Sequence, residues 1–167
     1  IPERAKVPLL TPSIPAFEVR AGHIYKKMAV CLETSEQDEP LLAQVLPLVG
    51  AAGAELVLIH VAESAPARFL GHGVLDEEAR DDSDYLERIA EKIRAAGLRC
   101  LTRIGAGEPE HEIARIAEEE RVDLIIAGSH GHKFFGDIFH GSTVSQLRHM
   151  TKIPVLSIRP PQPSSSK

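Results

Sequence analysis

Glu55-Leu56-Val57-Leu58-Ile59-His60-Val61 has the length of a strand and is almost unbroken in apolar residues, the pattern of a strand covered on both faces. Lys27 to Leu32 (KMAVCL) and Asp123 to Ala127 (DLIIA) read the same way, and Leu98 to Ile104 and Ile153 to Ile158 complete the set of short runs. The segments between them have helical spacing. Leu86, Ile89, Ala90 and Ile93 follow i, i+3, i+4, i+7, and Ile113, Ile116 and Ala117 repeat the start of that pattern, so each helix offers one apolar stripe. Gly97 sits where a C-terminal cap is wanted, and Pro40 and Pro109 sit near helix starts, where a missing N–H costs little. Pro47 lies inside the first helical pattern and is expected to bend or shorten it. Strand and helix alternating through five strands predict an α/β fold. The expected form is three-layered and Rossmann-like: a doubly wound, five-stranded parallel sheet in the order 3-2-1-4-5.

The composition is that of an ordinary globular protein, with 43% hydrophobic and 26% charged residues in a chain of 167. A domain of this size hides about 70% of the surface of its unfolded chain, so a core forms without staples. Nineteen Lys and Arg against twenty-four Asp and Glu leave a formal charge of -5, which argues against a nucleic-acid partner. Aromatics at 4% with no Trp supply no base-stacking platform either. No apolar run is long enough to span a membrane. Cys31 and Cys100 fall in strands two positions apart, about 10 Å, too far for a disulfide. Two packed, reduced thiols point to a cytoplasmic protein, or to the cytoplasmic domain of a membrane protein.

Residues 1–24 carry Pro2, Pro8, Pro12 and Pro15 with little periodicity and read as a Pro-rich linker or extension. They suit either a flexible arm of a small protein or the junction to a preceding domain; the prolines interrupt any signal-peptide core. Residues 25–159 form the expected domain, and the Pro/Ser segment 160–167 is expected to be a disordered tail.

In the predicted sheet the first and fourth strands are neighbours at the point where strand order reverses, where such sheets bind ligands. The first exits at Glu33-Thr34-Ser35. The fourth exits at Gly128-Ser129-His130-Gly131 and leads through residues 132–140 to Gly141-Ser142-Thr143, the start of the last helix. Glycines let consecutive N–H groups turn toward an anion, and the helix start adds unpaired N–H groups, hydroxyls and a positive dipole end. Glycines also serve as plain turn residues in such loops, and their number alone does not separate the two uses.

The spacing Gly128-x2-Gly131-x9-Gly141-Ser142 resembles, at every fixed position, the G-2x-G-9x-G-(S/T) loop of the ATP-binding branch of the universal stress protein family. Tyr25-Lys26-Lys27, Leu58-Ile59-His60-Val61, Gly107-Glu108-Pro109 and Ile153-Pro154-Val155-Leu156 extend the likeness over residues 25–159 in the family's order. The resemblance implies a five-stranded parallel sheet, a homodimer and an ATP site. It places adenine against the Cys31 backbone, Val61 and Ala127, and ribose and phosphates against Gly128, His130, Gly131, Gly141, Ser142 and Thr143. Where the family usually has Asp, this chain has Glu33, which keeps the acceptor but adds a methylene. Four hydrogen bonds to phosphate give roughly 6–12 kcal/mol gross, against an association cost of about 4–15 kcal/mol. Phosphate contacts alone are therefore marginal, and the site should prefer adenine nucleotides, with or without Mg2+, over inorganic phosphate.

Other constellations carry less. Gly131 to Asp137 (GHKFFGD) begins like a Walker A loop, but Asp137 and Ile138 stand where Lys and Ser/Thr are needed. No G-x-S-x-G elbow exists, and His130-Gly131-His132 misses an H-x-G-H motif by one residue. His130, His132 and His140 lack the ligand set of a zinc site, so no metal is expected. His60 reads as a packed core residue, His149 as a cation at a helix C-terminus, and Asp76-Glu77-Glu78 and Glu118-Glu119-Glu120 as solvated helix faces. The last strand, Ile153 to Ile158, is an edge guarded only by Pro154, which predicts pairing with the same strand of a second copy. The reading is an ATP-binding regulatory module with no catalytic residues. The resemblance adds that such domains occur fused to membrane transporters, making a transporter domain a candidate partner. The alternatives are a nucleotide-processing enzyme such as a slow ATPase, and a dimeric scaffold whose pocket Glu33 fills.

Overall fold

The computed structural model describes residues 25–62, 72–129 and 141–159, with the backbone alone for 72–79 and 141–142. The expectations for residues 1–24 and 160–167 lie outside the described residues. Five strands, β1 (Lys27–Cys31), β2 (Glu55–Ala62), β3 (Cys100–Ala106), β4 (Leu124–Gly128) and β5 (Val155–Ile158), alternate with four helices. These are α1 (Asp38–Ala52), α2 (His72–Ala95), α3 (Pro109–Glu119) and α4 (Gly141–Met150). All pairings are parallel, as the alternation of strand and helix requires, and the order is the expected β3-β2-β1-β4-β5. Among the described residues no helix is long and apolar enough to cross a membrane.

The period-two geometry of the strands divides the core into two layers. Met28, Val30, Leu32, Leu56, Leu58 and Ile126 face Leu41, Val45 and Val49 of α1 and Leu86, Ala90 and Ile93 of α2. Ala29, Cys31, Val57, Ile59, Val61, Ile125 and Ala127 face Ile113, Ile116 and Ala117 of α3 and Leu147 of α4. Central strands therefore need apolar residues at every position, which is why their sequence shows no alternation. Both cysteines are free and buried, and burial pushes the Cys31 thiol up to about 12 and the Cys100 thiol up to about 11.

Three helices end in the same way before the strand that follows. After α1, Gly53 N–H bonds the Gly50 carbonyl and Ala54 N–H bonds Val49; after α2, Gly97 bonds Arg94 and Leu98 bonds Ile93. After α3, Arg121 bonds Glu118 and Val122 bonds Ala117, so all three are Schellman caps. The cap residue takes φ of 62°, 88° and 54° in turn, and in the third an arginine occupies a conformation that suits glycine. Because Leu98 belongs to the cap, β3 begins at Cys100 rather than at the expected Leu98.

One expectation narrows and one is corrected. Of the two effects expected of Pro47, shortening does not occur, since α1 runs through it to Ala52. The carbonyl it leaves without a partner belongs to exposed Ala43, where water can replace the missing N–H. Glu118-Glu119-Glu120 is not simply solvated. Glu120 is half-buried and accepts from Lys27 Nζ at 2.7 Å and from Arg103, while Glu119 accepts from Arg103 at 2.9 Å and Arg115 at 2.6 Å.

Candidate functional site

The carboxyl ends of β1 and β4 lie side by side, with Cys31 opposite Ala127 on one flank and Ile59 on the other. Val61 is two residues beyond Ile59, so Cys31, Val61 and Ala127 share the face turned toward α3 and α4. All three are small and buried. The sheet thus brings together the three residues expected to seat an adenine, and parity explains it: odd positions of β1 and β2 and of β4 point the same way.

β1 leads into a loop whose conformation rests on Asp38. This carboxylate is 2% exposed. It accepts from Glu33 N–H at 3.0 Å, from Ser35 N–H at 3.2 Å and from Tyr85 Oη of α2 at 3.1 Å. Ser35 Oγ in return accepts from Gln37 N–H at 3.2 Å. Burial raises the Asp38 carboxyl above the usual range against the pull of these donors. Between the two tethered amides Thr34 is held at φ 56°, a left-handed conformation that costs a non-glycine residue about 1–2 kcal/mol. Sequence reading overlooked Asp38 and Tyr85, although Ser35-x-x-Asp38 has the spacing of a capping box, in which an acid reaches back to a Ser amide; here that acid is the first residue of α1 and Gln37 flanks it.

Glu33 is partly buried just past β1. Its carboxyl is pushed up to about 7, chiefly by burial, then by the Asp38 charge, with His60 acting in the opposite direction. His60 is buried as expected. Its Nδ1 lies 2.9 Å from the Leu32 carbonyl oxygen, and its Nε2 lies 3.2 Å from Asp82 Oδ2 on α2. Leu32, Glu33, Asp38, His60, Asp82 and Tyr85 therefore form one polar cluster on the α2 side of the crevice.

On the β4 side Gly128 is buried as the last strand residue, opposite Ile158, and its φ is not positive. The Ser129 amide donates to the Ile158 carbonyl at 2.7 Å, so it belongs to the sheet and cannot also turn to an anion. Any anion-facing amides of this loop must begin after Ser129. His130 and Gly131 lie outside the described residues, as do His132, His140 and the Walker-like stretch. Gly141 and Ser142 open α4, and Thr143 is buried at its third position. Glu108, Glu110 and His111 gather at the start of α3 within 4.8 Å of one another. Glu108 and His111 are largely exposed there, and carboxylates at a helix N-terminus suit its dipole without a metal.

The sequence model of the universal stress protein family matches residues 24–159. The universal stress protein YxiE of Bacillus subtilis is 28% identical over 149 residues, covering 81% of this chain and all of YxiE. Universal stress protein MJ0577 of Methanocaldococcus jannaschii is 27% identical over 155 residues, covering 81% of this chain and 96% of that protein. The solved MJ0577 structure superposes with a TM-score of 0.71, over 84% of this chain and 99% of that one. A universal stress protein from Archaeoglobus fulgidus, solved in complex with dAMP, shares the fold at a TM-score of 0.57 and 18% identity, covering 81% of this chain and 99% of that one.

Proposed function

The chain belongs to the universal stress protein family, and we propose that it is a regulatory module that binds an adenine nucleotide, ATP with or without Mg2+, across the carboxyl ends of β1 and β4. The observation that supports this reading is the register: Cys31 stands against Ala127 with Val61 on the same face, so three small apolar residues gather at the switch point of the sheet, where a purine seat is expected. The residues present fit the group. Glu33 adjoins that seat with a carboxyl whose acidity lies near neutrality, so it can accept a hydrogen bond from an adenine amine or a ribose hydroxyl. His130, Gly131, Gly141, Ser142 and Thr143 would hold ribose and phosphates, with the start of α4 supplying unpaired N–H groups. The dAMP complex of the Archaeoglobus relative supports an adenine nucleotide as the class of ligand. Calorimetry should find ATP binding in the micromolar range, about 8 kcal/mol, and inorganic phosphate binding far more weakly. Equal affinity for the two refutes the purine seat, and no heat with ATP refutes the function.

Hydrolysis is a second reading, favoured by Glu33 alone, whose carboxyl is pushed up to about 7 by burial, into the range of a general base. Phosphate release in proportion to protein, lost in Glu33→Ala, would establish it; binding without release supports the regulatory module.

We propose further that two copies pair through β5. It is an edge strand, and Leu156 is 38% exposed on it. Sedimentation should show a dimer that Leu156→Lys dissociates. A wild-type monomer at all concentrations refutes the pairing.

A further inference from the structure

The ring of His60 is engaged at both nitrogens by groups that accept. A peptide carbonyl cannot donate, so Nδ1, 2.9 Å from the Leu32 oxygen, carries a hydrogen. A neutral imidazole with its hydrogen on Nδ1 presents a bare lone pair at Nε2, and here that lone pair would face a carboxylate oxygen of Asp82 at 3.2 Å. Two acceptors at that distance repel. The contact becomes attractive only with one more proton, either on Nε2 as an imidazolium paired with the carboxylate, or on Asp82 as an acid donating to Nε2. The side chains are 10% and 17% exposed, which leaves little room for water to mediate.

We propose that His60 and Asp82 form a proton-binding site that fastens α2 to the carboxyl end of β1, and that loss of the proton releases this fastening beside the nucleotide crevice. The fastening stands on the hydrogen-bond geometry; its effect on the crevice rests on the binding function proposed above. Leu32, which His60 holds, directly precedes Glu33 and Thr34. α2 reaches this region at two points one turn apart, through Asp82 to His60 and through Tyr85 to Asp38 at 3.1 Å and the Ser35 carbonyl at 3.4 Å. Among the described residues, the titratable groups around the site are Glu33 and Asp38 from the β1–α1 segment and Asp82 and Tyr85 from α2, with Glu39 of α1 and Arg88 of α2 acting on Tyr85. On β3 the residue alongside His60 is Ile104, which does not titrate. When the proton leaves, the Asp82 carboxylate must turn away toward solvent, and Tyr85 is left as the described polar tether. The positive charge that holds the Glu33 carboxyl down is lost with it, so Glu33 takes up a proton more readily.

The test uses the whole chain with 15N-labelled histidine, reading both ring nitrogens of His60 and the exchange protection of the α2 amides between about pH 5 and pH 8, the range in which histidine switches. The expected result is that Nδ1 stays protonated throughout. The Nε2 signal and the protection of the amides near Asp82 then change together with one midpoint. Asp82→Asn should keep the fastening without a proton, because its amide can donate to a bare Nε2, so its protection becomes independent of pH. Asp82→Ala should lose the protection at every pH. Protection in the wild type that ignores the state of the ring, or an Asp82→Asn variant as pH-dependent as the wild type, overturns the proton site. Repeating the titration with ATP separates the two layers. Affinity that varies with pH in the wild type but not in Asp82→Asn supports the link to the crevice, and affinity flat with pH overturns that link. Absence of ATP binding overturns both the link and the proposed function, while the ring and exchange data still decide the proton site.

Discussion

Replacing Asp38 by alanine removes the acceptor on which the β1–α1 segment is built, and the structure sets the size of the loss. Two main-chain amides, of Glu33 at 3.0 Å and Ser35 at 3.2 Å, and the Tyr85 hydroxyl at 3.1 Å lose a charged partner. Hydrogen bonds to charged groups contribute at least about 1.5 kcal/mol each, so the gross loss is roughly 4–5 kcal/mol at its low end. Two effects reduce it. The variant no longer buries a carboxylate, whose desolvation is the largest influence on its acidity, and Tyr85 keeps the Ser35 carbonyl at 3.4 Å as a second acceptor. The net expectation is a loss of about 2–4 kcal/mol. Urea unfolding followed by far-ultraviolet circular dichroism should show the midpoint falling by about 1–2 M with an unchanged slope near 2 kcal/mol/M. The chain has no Trp and two Tyr, so tyrosine fluorescence reports Tyr25 and Tyr85 together, and the Tyr85 part should shift in the folded variant. Asp38→Asn keeps one acceptor oxygen and should lose about half as much. A loss under about 0.5 kcal/mol for Asp38→Ala would refute the claim that this carboxylate organises the loop.

Glu33→Gln should be stabilising in a pH-dependent way. The folded carboxyl titrates at about 7 against an ordinary value of 4.5, so the folded state binds more protons between those values and wild-type stability falls as the pH rises through them. The advantage of the variant should grow from pH 4.5 to about 7 and then level; an advantage equal at both ends refutes the assignment. Arg121→Gly should raise stability by about 0.5–1 kcal/mol, because the φ of 54° that closes α3 is strained for arginine and free for glycine. A lowered thermal midpoint would contradict this. Gly105→Ala should cost about 1–3 kcal/mol, since an added Cβ would stand 3.0 Å from Glu112 Cβ and 3.2 Å from Ile116 Cδ1, forcing α3 off β3. Unchanged unfolding would mean that α3 yields freely. Native Cys31 and Cys100 should resist a thiol reagent at about pH 8, since both thiols are held far above that value by burial. Labelling as fast as in denatured protein would refute it.

The parallel α/β class and the two-sided burial of the central strands were legible in the chain, because both follow from periodicity; the strand order was an expectation that the structure bears out. Runs such as Leu56 to Ile59 lack alternation only when both faces are covered, and the helical stripes at Leu86 to Ile93 and Ile113 to Ala117 require a sheet on which to lie. The sharing of one face by Cys31, Val61 and Ala127 follows from parity once strand order is known. Contacts that depend on distance rather than period were not legible. Tyr85 and Asp38 stand 47 positions apart, yet their hydroxyl and carboxylate meet at 3.1 Å. His60 and Asp82 are each unremarkable in their local sequence. Hydrophobic patterning places elements, because burial is non-directional and any apolar residue in phase contributes to it. Hydrogen bonds are directional and short-ranged, so which carboxylate meets which amide, and where one proton must reside, was decided only when the sheet brought β1, β2 and α2 together.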